Sequence, residues 1–267
     1  MLDPKIIGRR LKYFRQRVGI SQLDLEIALD MSQGSVSRIE SGKVNPTKET
    51  VLSIAGNLQM NDREISYVIG PLALPPTQKE VENAIHTIQE DFSRDDVYAY
   101  LIDDRFRFHY ISKGFENLLN IILENYQERY LDLVGTSLFR IVLDERIGIN
   151  QFIKGDVSQV LISQLLRFNK YMGFMVDDEY YSETLNLFAK YPGVSELWKQ
   201  IENDNLNFNS LESKKVSLSF ESLSFDTIFV REPIAKYPRF ETIEYVFSHK
   251  DVIELLKVLN AGSKDNR

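Results

Sequence analysis

Three prolines within six residues, Pro71, Pro75 and Pro76, interrupt the chain at one place. Proline fixes φ near about −65° and removes a backbone donor, so no helix runs through this stretch. Composition changes across it. Residues 1–70 hold 10 basic and 8 acidic side chains, net +2, whereas 71–267 hold 22 and 31, net −9. Of 30 aromatic residues, only Tyr13, Phe14 and Tyr67 precede the break. The expected organisation is a first domain over 1–70 and a linker over 71–78. A connecting helix over 79–96, a second domain over 97–260 and a flexible tail over 261–267 follow.

The overall charge of −7 therefore averages two unlike parts, and it does not exclude nucleic acid for the first of them. With no cysteine, disulfides, thiolate zinc sites and a cysteine nucleophile are excluded. The three histidines, His86, His109 and His249, are too scattered for a histidine-rich metal site. The longest apolar run near the middle, Val97 to Ile102, is six residues, against the roughly 20 needed to span a bilayer. The N-terminus lacks a secretion signal. A cytoplasmic protein with no membrane association, no metal and no cofactor is the expectation.

Five short helices are expected in the first seventy residues. Ile7, Leu11, Phe14 and Val18 form an apolar stripe at i, i+4, i+7, i+11, with basic residues on the other faces. Gly19 suits the end of that helix. Ser21 is the expected N-cap of a second helix through Leu29, and Ser32 of a third from Gln33 to Glu40. Thr47 caps a fourth, and Asp62 begins a fifth that ends near Ile69. Two short helices joined by a tight turn, the second rich in Ser, Gln and Arg, have the layout of a helix-turn-helix.

Gln22-x-x-Leu25, followed by Met31-Ser32-Gln33-x-Ser35-Val36-Ser37-Arg38-Ile39-Glu40-x-Gly42-Lys43-x-x-Pro46, resembles the Cro/C1 (XRE) type of repressor over about Ile6 to Ile69. The resemblance implies that Gln33, Gly34 and Arg38 face base edges in the major groove, on a recognition helix that also carries Ser35 and Ser37. It places Ser21, Gln22, Lys43, Asn45 and Lys48 near phosphates, and implies a structural pair, Arg15 with Glu40. Gln reads adenine and Arg reads guanine by bidentate hydrogen bonds, each worth about 1–3 kcal/mol of discrimination. Two residues depart from the family pattern. Glu26 stands where a small Ala is usual at the helix crossing, and Asp30 where Gly is usual.

Downstream, Lys79 to Phe92 has helical spacing and Val97 to Ile102 that of a strand. An acidic turn at Asp103-Asp104 precedes Phe106, Phe108 and Tyr110, which alternate with Arg105, Arg107 and His109. That alternation predicts one apolar strand face and an opposite, solvent-exposed face holding His109. Helices are expected over Lys113–Leu119, Ser137–Asn150, Val157–Tyr171, Glu179–Tyr191 and Val194–Asn203. Strands then return at Val216–Phe220, Thr227–Arg231 and Ile243–Phe247, with a last helix over Asp251–Leu259. The expected second domain is α+β with a mostly antiparallel sheet.

This order, with Tyr98-Ala99-Tyr100-Leu101-Ile102-Asp103, Leu138-Phe139, Asp144-Glu145-Arg146, Glu196-Leu197-Trp198 and Tyr245-Val246-Phe247, resembles the PAS-like domain of MmyB-like regulators. The resemblance implies a buried pocket for a small apolar, fatty-acid-like ligand. Phe106, Phe108, Tyr110, Trp198, Leu218, Phe220, Tyr245 and Phe247 are candidate lining residues, and Val216 is a further one; each also suits an ordinary core. No phosphate loop, dinucleotide glycine pattern or paired-histidine motif is present, so no enzyme activity and no catalytic residue is expected. The sequence thus points to a transcription regulator binding double-stranded operator DNA as a homodimer. The alternative is a second domain that only dimerises or binds a peptide or protein.

Overall fold

The computed structural model describes residues 2–122, 133–144, 157–203, 215–220 and 223–247. It divides into two compact units, Met1–Pro75 and Pro76–Arg267. Among the described residues no helix is long and apolar enough to cross a membrane.

The first unit contains α1 (Pro4–Val18), α2 (Gln22–Ala28), α3 (Ser35–Glu40), α4 (Lys48–Asn57) and α5 (Asp62–Ile69). Four of these five starts have a local cause. Asp3 accepts from Lys5 N at 2.8 Å ahead of Pro4. Ser21 accepts from Asp24 N at 3.1 Å, and Thr47 from Thr50 N at 3.2 Å. Asn61 and Glu64 form a reciprocal capping box. Gly19 closes α1 at φ 78°. Ile7, Leu11 and Phe14 enter the core with Leu25, Val36, Ile39 and Ile54, but Val18, expected on the same stripe, is 46% exposed. It is the last residue of α1, where the helix runs past the core.

Two basic residues of α1 are buried, Arg15 in the pair with Glu40 that the resemblance implies, and Arg10, for which the sequence implies no internal role. Arg10 Nη1 donates to Tyr67 O at 2.5 Å and Ala73 O at 2.9 Å, and its guanidinium lies 3.7 Å from the Tyr67 ring centroid. The segment expected to be linker is thus partly structure of the first unit. Pro71–Ala73 forms a 3-10 turn with Leu72 and Ala73 buried.

The second unit holds α6 (Gln78–Phe92), β1 (Ala99–Asp103), β2 (Phe108–Ile111), α7 (Lys113–Ile122), α8 (Leu138–Leu143), α9 (Val157–Met172), α10 (Glu179–Phe188), α11 (Pro192–Glu202), β3 (Lys215–Phe220), β4 (Leu223–Ile234) and β5 (Tyr237–Val246). The strands form one antiparallel sheet in the order β2-β1-β5-β4-β3. On one face α6 packs Val81, Ala84, Ile88 and Phe92 against Ala99, Leu101 and Phe240. On the other, Leu138 and Ile141 of α8 pack against Tyr100, Ile102, Phe108, Phe229 and Ile243. The expected helix over Asp251–Leu259, the tail, and the part of Ser137–Asn150 beyond residue 144 lie outside the described residues.

Simple alternation fails between residues 103 and 110, for two reasons. Phe106 has φ 59° and sits in the turn before β2. Ile102 pairs with Phe108 while Leu101 pairs with Tyr110, so His109 is a bulge. A bulge shifts side-chain parity by one residue. Phe108 therefore joins the α8 face and Tyr110 the α6 face, where it stacks on Phe92 at 6.0 Å. The expected shared face of Phe106, Phe108 and Tyr110 does not exist.

His109 is likewise buried instead of exposed, as are Arg105 and Arg107. Asp103 gathers them. Its Oδ1 accepts from Arg105 N at 2.9 Å and Arg107 N at 3.0 Å, and its Oδ2 from Arg107 Nε at 2.6 Å. His109 Nε2 lies 2.9 Å from the same Oδ2. Burial pushes the Asp103 carboxyl up, but the His109 hydrogen bond and the Arg107 charge outweigh it and hold the group below the usual aspartate value.

Candidate nucleic-acid interface

The recognition helix begins two residues later than expected. Gln33 and Gly34 form a turn, and Gly34, at φ 79°, is the N-cap of α3 in place of Ser32. Glycine has no side chain to satisfy the free amides of a first helical turn. Ser32 is occupied elsewhere, with its Oγ 2.8 Å from Ser35 Oγ.

The missing cap comes from α2. Glu26 is 4% exposed, and its carboxylate accepts from Gly34 N at 3.1 Å and Val36 N at 2.9 Å. The residue that departs from the family pattern at the helix crossing thus closes the start of the recognition helix, where negative charge is favoured by the helix dipole. Sequence reading noted Glu26 as unusual and missed this role. The available signal was an acid at a core-facing position of α2 followed by a helix lacking its own side-chain cap. Replacing it, Glu26→Ala, leaves two amides without acceptors in a site closed to water. We expect a loss of about 1–3 kcal/mol in head-unit stability, read by thermal denaturation.

At its other end α3 is fixed by α1. Arg15 Nε donates to Glu40 Oε1 at 2.6 Å and Arg15 Nη2 to Glu40 Oε2 at 3.1 Å. Gln22 Nε2 donates to the same Oε2 at 2.6 Å. Gln22, expected near phosphate, is therefore also part of this internal network and is only partly exposed. Helices α1 and α3 meet closely, since a Cβ on Gly8 would run into the carbonyl oxygens of Ile39 and Glu40. Arg17 Nη1 reaches Glu64 at 2.5 Å and so ties α1 to α5.

With both ends of α3 held, Val36 and Ile39 point inward while Ser37 and Arg38 are exposed, as is Gln33 in the preceding turn. Ser35 is half-buried, and its Oγ accepts from Arg38 Nη2 at 3.3 Å. Lys43 and Asn45 lie exposed in the loop after α3, and Lys48 is exposed at the first turn of α4. The Lys43 amide donates to Arg38 O at 2.9 Å, which folds that loop back against the helix end. Ser21 is exposed at the start of α2 and donates to Asp24 Oδ2 at 2.6 Å. One unit thus presents an amide, hydroxyls and three cations, Arg38, Lys43 and Lys48, the donor set that suits base edges and phosphates.

Among the described side chains the candidate ligand residues fall into separate groups, with Phe106 and Trp198 both packed on Phe168. Phe106 packs with Phe139 and Phe168 at 6.2 and 5.5 Å, and Trp198 with Phe168 and Phe188 at 5.5 and 5.4 Å. Phe108 and Tyr245 belong to the α8 face, Tyr110 to the α6 face, and Phe247 meets Tyr98 at 5.0 Å. The side chains of Val216, Leu218 and Phe220 lie outside the described residues.

Residues 11–65 match the helix-turn-helix family model HTH_3. That segment runs from within α1 into α5 and contains both ends of the α3 scaffold. No curated protein matches the chain. Over these residues the first unit is similar to a helix-turn-helix family, which supports a DNA-binding regulator.

Proposed function

We propose that the protein is a cytoplasmic transcription regulator, without enzymatic activity, that binds a roughly palindromic operator as a homodimer. Gln33 and Arg38 read base edges, Gly34 between them lets the backbone approach those edges closely, and Ser21, Gln22, Lys43, Asn45 and Lys48 hold the phosphates. The observation that carries this reading is the clamping of α3 by Glu26 at one end and Arg15–Glu40 at the other, which leaves Gln33, Ser37 and Arg38 exposed. A rigid, exposed polar helix is what direct readout needs. Binding-site selection on random duplexes followed by titration is the test. Arg38→Ala is expected to weaken binding to the selected site by about 1–3 kcal/mol and relax preference at one base pair. Unchanged affinity and preference would remove Arg38 from the reading surface.

A second reading, that the α+β unit is PAS-like and takes a small apolar ligand with an acidic end, is favoured by Arg167. This residue is 8% exposed and packs its guanidinium 4.9 Å from the Phe106 ring centroid and 5.5 Å from that of Tyr171. It pairs with Glu241, yet its Nη1 is buried without a hydrogen-bond partner. A buried donor among rings suits a carboxylate carried on an apolar chain. Native mass spectrometry of the purified chain is expected to show a bound lipid-sized mass that Arg167→Leu loses. An apo mass throughout, with operator affinity indifferent to added fatty acid, would leave the α+β unit a dimerising or partner-binding module.

A further inference from the structure

Gly42 follows α3 at φ 69°, and its missing side chain leaves room for one neighbour. A Cβ there would stand 2.7 Å from Lys5 Cγ, 2.8 Å from Lys5 Cα and 2.9 Å from Lys5 N, closer than non-bonded atoms approach. The first turn of α1 therefore lies directly on this loop, with the Lys5 stem against Gly42. The loop itself is fixed. Gly42 N donates to Ile39 O at 2.9 Å, and the amides of Lys43 and Val44 both donate to Arg38 O, at 2.9 and 3.2 Å. Lys5 is exposed, and among the described residues its ammonium has no ion-pair partner, nor have those of Lys43 and Lys48. The acid nearest in sequence, Asp3, is engaged as the cap of α1, with Oδ1 accepting from Lys5 N at 2.8 Å.

We propose that Lys5 is a further phosphate contact, which carries the DNA-binding surface beyond residues 11–65 onto the N-terminal turn of α1. The inference rests on the DNA-binding reading above and adds one cation from a different helix to the phosphate set at Lys43, Asn45 and Lys48. A lysine whose stem packs on a fixed backbone keeps its charged head in water, free to meet a phosphate. Such a contact positions the duplex and carries no sequence information. The other basic residues of α1 nearest the core do not supply this charge, since Arg10, Arg15 and Arg17 are bonded within the fold. Each cation in the head also counts for more because residues 71–267 carry net −9 and repel the duplex.

The test titrates the full-length chain against its selected duplex and a scrambled one across a range of salt. Lys5→Gln should weaken both by the same factor and lower the slope of log affinity against log salt by about 0.9. The advantage of the wild type should accordingly shrink about three- to fourfold between about 50 and 200 mM salt. Lys190→Gln removes the same charge from an exposed position in the second unit and should leave the slope unchanged. The far-UV melting curve of Lys5→Gln should match the wild type, because no ion pair is lost. An unchanged slope for Lys5→Gln would put Lys5 off the interface, and the DNA-binding reading would stand as long as the wild type prefers its selected site. An equal fall in slope for Lys190→Gln would make the effect one of net charge, with no contact at Lys5. If the wild type binds neither duplex, the DNA-binding reading itself falls and this contact with it.

Discussion

Replacing Arg105 by Met should destabilise the α+β unit by about 3–5 kcal/mol, the usual consequence of removing one partner from a buried ion pair. Arg105 is fully buried and is held by two carboxylates. Its Nη1 donates to Asp104 Oδ1 at 2.9 Å, and Nε and Nη2 both lie 3.1 Å from Asp178 Oδ2. The two acids do not suffer equally. Asp104 keeps Arg239, whose Nε donates to its Oδ2 at 2.6 Å. Among the described residues Asp178 keeps the amide of Tyr180, at 3.0 Å, through its other oxygen. Asp178 also N-caps α10, so the stranded charge disturbs the start of that helix. Methionine fills most of the arginine stem's volume, so the loss is electrostatic more than packing. Adding Asp178→Asn should recover part of it, because the double variant no longer buries that charge alone. The chain's single tryptophan, Trp198, is buried in this unit and gives a local signal for urea unfolding. An unfolding free energy within about 0.5 kcal/mol of the wild type would show that water reaches Asp178 and that the pair is not closed.

That network also marks where the sequence stopped being legible. The helices of the first unit other than α3 follow from caps and stripes, each a local signal. The strand Lys215–Phe220 falls where alternation places it, whereas Leu223–Ile234 and Tyr237–Val246 overlap the expected Thr227–Arg231 and Ile243–Phe247 but begin four and six residues earlier. What alternation could not convey is the segment from Asp103 to Tyr110. One left-handed residue, Phe106, and one bulge, at His109, turn an apparent two-sided strand into a turn wrapped around Asp103. Arg105, Arg107 and His109 look like a solvated face because their partners are distant in sequence or reached only through the bulge. Asp178 lies 73 residues from Arg105. A period-two reading assumes regular pleating, and register irregularity is a tertiary property.

The same limit operated in the head, in milder form. Basic side chains are concentrated near the N-terminus, yet Arg10 and Arg15 are buried and Arg17 reaches Glu64. Charge count alone does not separate arginines that bind phosphate from those that bind carbonyls and carboxylates within the fold. Glu26 shows the converse. Its identity stood out in the sequence, but its role depends on Gly34 lacking a side chain eight residues later.

Arg15→Met and Arg38→Ala should therefore separate along two axes. Arg15 and Glu40 are 10% and 4% exposed in their side chains, joined by two hydrogen bonds, and Arg15 Nη1 further donates to Ile20 O at 2.5 Å. Among the described residues, removing the guanidinium leaves Glu40 the Gln22 amide and strips the carbonyl that follows the Gly19 cap. A loss of about 3 kcal/mol is expected, the lower end for a buried pair because Arg15 retains some solvent. In a unit of this size that corresponds to a melting shift of roughly 12–24 °C. It should appear as an early far-UV transition with no change in Trp198 emission, since the tryptophan lies in the other unit. Operator binding then falls at all sequences alike, because α3 loses its seat and not its chemistry. Arg38 is exposed and bonds only within its own helix and the following loop, so Arg38→Ala should melt like the wild type and lose affinity in a base-dependent way. If Arg15→Met melts unchanged but loses base preference, the two roles are exchanged, and the arginine that reads DNA is the one on α1.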